Sequence, residues 1–264
     1  MEIQLIRTFT ITAITLGIIF GIAIPYIFIR KYRFTWKFLS IGIGLLLITI
    51  IVQPFIQLGF LAVITGKYNI TKLHEVIIQN IKQSPTYLVI YSIIIGYIAG
   101  TFQPILKYIV LRFVKEKLID KSIFLGYGFG IAEVLFILIP GMVVLYMEPQ
   151  ELEQYYTHAS IIDTSIHSLY VGYERFLATL FHIYSTGLVL IGLLIRSYVP
   201  LVIVIILHGF IDAWGAWMQF KIITSKITTM TYLLTTMGLV YVIMTSAVLL
   251  ILYVYRKFLL KIKE

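Results

Sequence analysis

Seven stretches of this chain are apolar for long enough to cross a hydrocarbon core, and that limits its fold more than any other feature. A spanning α-helix needs about 20 mainly apolar residues. Residues 8–29, 38–65, 84–106, 122–146, 171–195, 198–218 and 229–255 each reach that length. The second and seventh are long enough to tilt or to run past the bilayer. Charged residues make up only 12% of the chain, against about 25% in a soluble domain, so bilayer is the solvent this sequence fits. The expectation is all-α: a polytopic transmembrane helical bundle of about seven spans, in a single integral membrane domain over residues 1–264. No repeat, low-complexity tract or separate soluble domain is visible. The first run follows Met1–Arg7 as the core of a signal peptide follows its charged start. It exceeds the usual core of about 7–15 residues and no small-residue cleavage site follows, so it reads as a retained span.

The net charge is +9. In a soluble chain that would suggest nucleic acid, but here the basic residues fall at the span ends, where cations mark cytoplasmic loops. Arg30, Lys31, Arg33, Lys37, Lys107, Arg112, Lys115, Lys117, Lys121, Arg196, Arg256, Lys257, Lys261 and Lys263 share one side. Arg7, Lys67, Lys72, Lys82, Lys221 and Lys226 lie on the other. The expected topology has the N-terminus outside and the C-terminus cytoplasmic, with no nucleic-acid partner. Two outer segments are longer than a turn: 66–83, read as an interfacial helix, and 147–170, which carries Glu148, Glu151, Glu153 and Asp163. Each suits a connector, with a binding surface as the alternative.

Ionisable residues within the expected spans are confined to the fourth, fifth and sixth. They are Glu133, then Glu174, Arg175 and His182, then His208 and Asp212. A charge at a helix centre costs about 2.5–3.5 kcal/mol on insertion scales, so such groups face a bundle interior or a water-filled cavity and find partners there. At about 1.5 Å of rise per residue, Glu133, His182 and His208 reach similar depth from three different helices. His208 and Asp212, four apart, share a face, and Arg175 and His182, seven apart, lie on one stripe. Gly126 and Gly130 form a small-xxx-small face that Glu133 continues, and Gly96 and Gly100 form another in the third span. Such faces let helix backbones approach closely, which points Glu133 at a neighbouring helix.

There are no cysteines. Disulfides, thiolate zinc sites and cysteine nucleophiles are excluded, and any metal must be held by His, Asp or Glu. Two histidines with carboxylates can hold a divalent metal such as zinc and leave a position open for water. The metal lowers the pKa of that water and a carboxylate takes its proton, a combination able to hydrolyse an amide. The same residue types also serve as helix–helix hydrogen-bonding groups, and Glu174-Arg175 also reads as a structural ion pair.

These motifs resemble those of the YhfC-type intramembrane metalloproteases, a group similar to the CPBP family (CAAX proteases and bacteriocin-processing enzymes) and to PrsW-type site-1 proteases. The shared plan is a Glu on one helix, a second motif ending in His or Glu, and a third of form H-x-x-x-N/D. Its counterparts here, over about 122–215, are Glu133 in Gly128-Phe129-Gly130-Ile131-Ala132-Glu133, the stretch from Glu174-Arg175 to His182, and His208 to Asp212. Departures set the chain apart from the CAAX enzymes proper. Val134 follows Glu133 where those have a second Glu, and Ala178 replaces their usual Phe four residues before the His. Phe129 stands where YhfC-like chains often have His. The glycine-rich stretch also resembles the scaffold subunit of gamma-secretase, which is not itself the protease.

The resemblance implies a membrane-embedded endopeptidase of a prokaryotic cell membrane, acting on a membrane protein or peptide with a divalent metal, zinc by expectation. Glu133 would be general base. His182 and His208 would bind metal or oxyanion, with Glu133 and Asp212 as further candidate ligands. Asp212 would also orient His208, and Glu174 and Arg175 would brace the fifth span, Glu174 as a possible second carboxylate. Two rival classes remain open: a non-catalytic scaffold or immunity factor on the same fold, and an ion-coupled transporter, whose intramembrane ionisable relay needs the same residue types.

Overall fold

In lipid every backbone N–H and C=O must be satisfied internally, so helices are the solution open to a chain of this pattern. The computed structural model describes residues 3–114, 118–148, 161–224 and 230–263, and among them the regular structure is helical throughout. The first span is built from α1 (Ile3–Ile18), a π-helical turn (Ile19–Ala23) and α2 (Ile24–Ile29). Then come α3 (Trp36–Thr65), α4 (Ile70–Gln83), α5 (Pro85–Phe113), α6 (Ile119–Tyr146), α7 (Ile161–Leu194), α8 (Val199–Thr224) and α9 (Met230–Lys263). Seven helices are long and apolar enough to cross a membrane: Gln4–Ile29, Trp36–Thr65, Pro85–Phe113, Ile119–Tyr146, Val171–Leu194, Val199–Lys221 and Val242–Leu260. The chain is an integral, multi-pass membrane protein.

Two bounds differ from the sequence reading. α5 continues to Phe113, so Lys107 is a helical residue and not a loop cation; it is 2% exposed. α7 starts ten residues ahead of the expected span, so the connector read on 147–170 ends in helix. Polar residues at a helix end depress hydropathy without ending the helix, which explains both. The helix expected on 66–83 forms, as α4. Of the acidic residues read on 147–170, Glu151 and Glu153 lie outside the described residues, as does the side chain of Asp163.

Two compact units make up the chain, Met1–Leu46 with Leu118–Tyr184 and Leu47–Lys117 with Ser185–Glu264. In the first unit the first span lies along α6. The π turn carries one extra residue per turn and disturbs the regular hydrogen-bond ladder. There the Tyr127 hydroxyl of α6 donates to the Ile22 carbonyl at 2.9 Å. Gly21 in the same turn is buried, and a Cβ there would press on Val134 and on Cβ of Arg175. Gly42 of α3 and Gly128 of α6 let those helices touch backbone to backbone, against Leu125 and Leu39.

In the second unit α5 packs along α8, with Gly96 against Ala213 and Gly100 against Gly209. A side chain at either glycine would overlap the facing backbone, so the packing face expected of them is used. α4 is amphipathic and buries Leu73, Ile77 and Ile81 in a cluster with Leu61, Leu88 and Tyr91. Asn69 caps its start by accepting from the Lys72 N–H at 3.2 Å, and Asn80 donates to the Tyr91 hydroxyl at 2.7 Å.

Candidate functional site

Most spans leave much of their surface exposed, as a helix facing lipid does. The fifth is different: 89% of its most apolar stretch is buried, against 17% for the first span. A helix with almost no lipid contact is where charge can be housed within a membrane, and α7 carries Arg175 and His182, each under 5% exposed. Its buried polar residues continue with Thr179, Ser185 and Thr186.

Within the first unit the structure brings together Glu133, Glu174, Arg175 and His182. Gly130 of α6 sits against Thr179 of α7, where a Cβ would come within 3.1 Å of the Thr179 Cα. That approach carries Glu133, three residues on, into reach of α7. Glu133 Oε2 and His182 Nε2 lie 2.6 Å apart, within the range of a strong charge-assisted hydrogen bond. The other carboxylate oxygen of Glu133, Oε1, is 3.4 Å from Arg175 Nη1. Arg175 meanwhile donates from Nε and Nη2 to the two carboxylate oxygens of Glu174. The planar guanidinium suits this forked geometry, which a lysine could not reproduce. Two carboxylates thus share one guanidinium. The Phe129 ring lies 4.7 Å from the imidazole of His182, centroid to centroid, and covers it with an apolar surface.

The second unit holds the remaining two candidates. His208 is buried and Asp212 half-buried on α8, with His208 Nε2 3.5 Å from Asp212 Oδ2. This is a close contact, longer than a hydrogen bond, for which N···O runs to about 3.2 Å. Gly209 and Ala213, which follow His208 and Asp212 in the chain, touch Gly100 and Gly96, so α5 fixes the stretch of α8 that carries the pair.

Among the described residues each unit therefore offers one buried imidazole with a carboxylate beside it; Glu174, the second carboxylate of the first unit, is taken up by Arg175. Imidazole and carboxylate are the right donor types for a borderline divalent cation, and an open catalytic zinc site takes three protein ligands plus water. Among the described residues no group of three or more His, Cys, Asp or Glu stands in a metal-holding arrangement. The donor set fits such an ion in kind, with two donors to a unit.

Several polar residues that are not ionisable, or that lie beyond the expected spans, prove buried or paired within the helices. Lys107 and Thr49 are buried, and Gln53 and Gln103 are hydrogen-bonded to one another. A search for glutamine beside proline within apolar runs would have found the last two. Phe129 drew notice only as a departure from a motif, not as a wall against His182.

No curated protein and no solved structure matches the chain. A family model does, over residues 14–233, which takes in every residue of both ionisable groups; the chain belongs to the YhfC intramembrane metalloprotease family.

Proposed function

We propose that the protein is an intramembrane endopeptidase that hydrolyses a peptide bond of a membrane-embedded protein or peptide. The observation that carries this reading is the Glu133–His182 contact of 2.6 Å, made between two helices and braced by Arg175. A carboxylate within hydrogen-bond reach of an imidazole can take a proton from water and pass it on, which is general acid–base work. Glu133 is the general base. Its charge is held in place by Arg175, which Glu174 in turn anchors, so the carboxylate is already oriented before a substrate arrives. His182 accepts or returns the proton, and Phe129 keeps bulk water from its ring face. His208, oriented by Asp212, contributes the second imidazole.

His182, His208, Glu133 and Asp212 are the residues that would hold the divalent metal the family implies, and zinc is the ion their nitrogen and oxygen donors suit best. When bound, such an ion supplies an acidified water and a Lewis acid for the carbonyl. The distribution of basic residues supports an N-terminus outside and a C-terminus in the cytoplasm, and the proposed setting is a prokaryotic cell membrane.

A second reading has its own observation. With two donors to a unit and no complete ligand group among the described residues, the chain also suits a non-catalytic scaffold. One experiment separates the two. Membranes from cells expressing the wild-type chain or Glu133→Gln are compared for new peptide termini within membrane proteins, and the metal content of both purified proteins is measured. Termini present only with the wild type, together with about one divalent ion per chain, support the protease. Identical termini and metal-free protein support the scaffold.

A further inference from the structure

The second unit carries a polar seam that the proposed chemistry does not use. α3 and α5 hold the same short pattern deep in their apolar runs, Gln53-Pro54-Phe55-Ile56-Gln57 and Gln103-Pro104-Ile105-Leu106-Lys107. Both prolines lie inside their helices. An interior proline has no N–H to give and displaces the carbonyl four residues before it, so the carbonyls of Ile50 and Gly100 lose their regular helical donor. The two glutamines that precede the prolines meet: Gln103 Nε2 donates to Gln53 Oε1 at 3.3 Å. A turn further along α3, Gln57 Nε2 donates to the Ile95 carbonyl of α5 at 3.0 Å. A turn further along α5 lies Lys107, 2% exposed, and a turn before Gln53 lies Thr49, also buried.

A glutamine amide has two donor hydrogens and an acceptor oxygen with two lone pairs. The Gln53–Gln103 bond uses one of each, and Oε1 of Gln103 is buried with no hydrogen-bond partner among the described residues. An orphan acceptor within a membrane is costly unless water reaches it. Helix–helix adhesion alone would be served by one amide bond or by apolar packing. It does not account for two prolines that free carbonyls beside two glutamines, nor for a buried oxygen left over. Internal water does, because it takes two to four hydrogen bonds from polar groups of this kind.

We propose that the α3–α5 seam of the second unit, from Gln57 through Gln53 and Gln103 to Lys107, is a hydrated site within the membrane, its water held on the glutamine amides and the proline-freed carbonyls. Hydrolysis within a membrane consumes one water for each peptide bond cut, so a hydrated seam suits a protease. The proposal stands without that activity and is read out separately from it.

The chain lacks cysteine, so single-cysteine variants of the full protein in native membranes report accessibility without background. Gln53→Cys and Gln103→Cys are treated with a membrane-impermeant methanethiosulfonate. Phe55→Cys, at a 71% exposed apolar position of the same span, is the dry control, and Tyr68→Cys, 80% exposed between α3 and α4, is the wet one. The thiolate is the reacting form and is suppressed in apolar surroundings, so both seam variants should react at least about tenfold faster than Phe55→Cys. Seam thiols as inert as Phe55→Cys while Tyr68→Cys reacts would overturn the proposal. Should the glutamine variants fail to fold, hydroxyl-radical footprinting of the unmodified protein decides. Oxidation of Pro104 and Lys107 well above that of Leu111, equally buried on α5, supports internal water. Protection equal to that of Leu111 means the seam is dry.

Discussion

Among the described residues two histidines lie buried, each beside a carboxylate, yet the pairs are built differently. His182 takes its partner from another helix, Glu133 of α6, 49 residues earlier and 2.6 Å away. His208 takes its partner from its own helix, Asp212, one turn on and 3.5 Å away. Any helix bearing His-x-x-x-Asp brings the second pair near one another; the first exists only because α6 and α7 pack with Gly130 against Thr179. The first pair is also backed by Arg175 and Glu174, which spread its charge over a four-residue group. Tertiary structure is needed to bring the first pair together, whereas helix periodicity already brings the second near. The comparison assigns the demanding chemistry to Glu133 and His182, and variants of both pairs can break it.

The largest effect is expected at Glu133. Glu133→Gln keeps the shape and removes the base, so cleavage of a membrane peptide should fall about 10²–10⁴-fold, the usual contribution of a positioned acid–base group. Thermal unfolding in detergent should change little beside that, because the amide still reaches His182. Cleavage that survives intact would remove the distinction between the pairs along with the proposed mechanism.

Next in size is Arg175→Met. It leaves the two carboxylates of Glu133 and Glu174 facing one another without a cation, and breaking a buried ion pair from one side costs about 3–5 kcal/mol. The midpoint of thermal unfolding should drop by many degrees, and Glu174→Gln added to Arg175→Met should restore part of the loss. His208→Ala, which leaves behind only a half-buried Asp212, should destabilise less. A drop of equal size in both would mean that the four-residue group has no special hold on the first unit.

A third test compares the glycines around each pair. Overpacking a well-filled contact costs about 1–3 kcal/mol. A Cβ at Gly100 would overlap the backbone of Gly209, whereas at Gly130 the nearest atom is a methyl of the Thr179 side chain, 2.9 Å away. Backbone cannot yield and a side chain can, so Gly100→Ala should lower the unfolding temperature more than Gly130→Ala. The reverse order would show that the α6–α7 approach is the stiffer one.

Much of this was legible from the sequence because membranes make local signals strong. Seven apolar runs announce seven spans, and six ionisable residues stand out on such a background whatever their neighbours. The small-residue faces at Gly130 and at Gly96 and Gly100 could likewise be read, since close packing needs a missing side chain. What stayed hidden depends on pairing. Nothing in the chain order says that Arg175 would fork onto Glu174 while also touching Glu133. Nor does it say that Gln53 and Gln103, fifty positions apart, would bond. The π turn at Ile19–Ala23 has no sequence mark beyond Gly21 and Pro25; it is recognised by the Tyr127 hydroxyl that meets it. Lys107 reads as a loop cation from sequence yet is helical and buried, because a buried cation near a helix end looks the same in sequence as a loop cation.

The smallest expected effect is at Asp212, and it is the most informative about the comparison. A pair one turn apart on a helix contributes about 0.2–0.5 kcal/mol, so Asp212→Asn should leave the unfolding temperature nearly unchanged. Asparagine keeps an oxygen near His208 Nε2 and loses only the charge. If Asp212 merely orients His208, cleavage of a membrane peptide should persist at a reduced rate, well above that of Glu133→Gln. If instead Asp212→Asn is as inactive as Glu133→Gln while equally stable, the carboxylate of the local pair is itself required. A pair that helix periodicity alone can form would then rank with the one that tertiary packing builds, and ease of assembly would be no guide to which carboxylate does the chemistry.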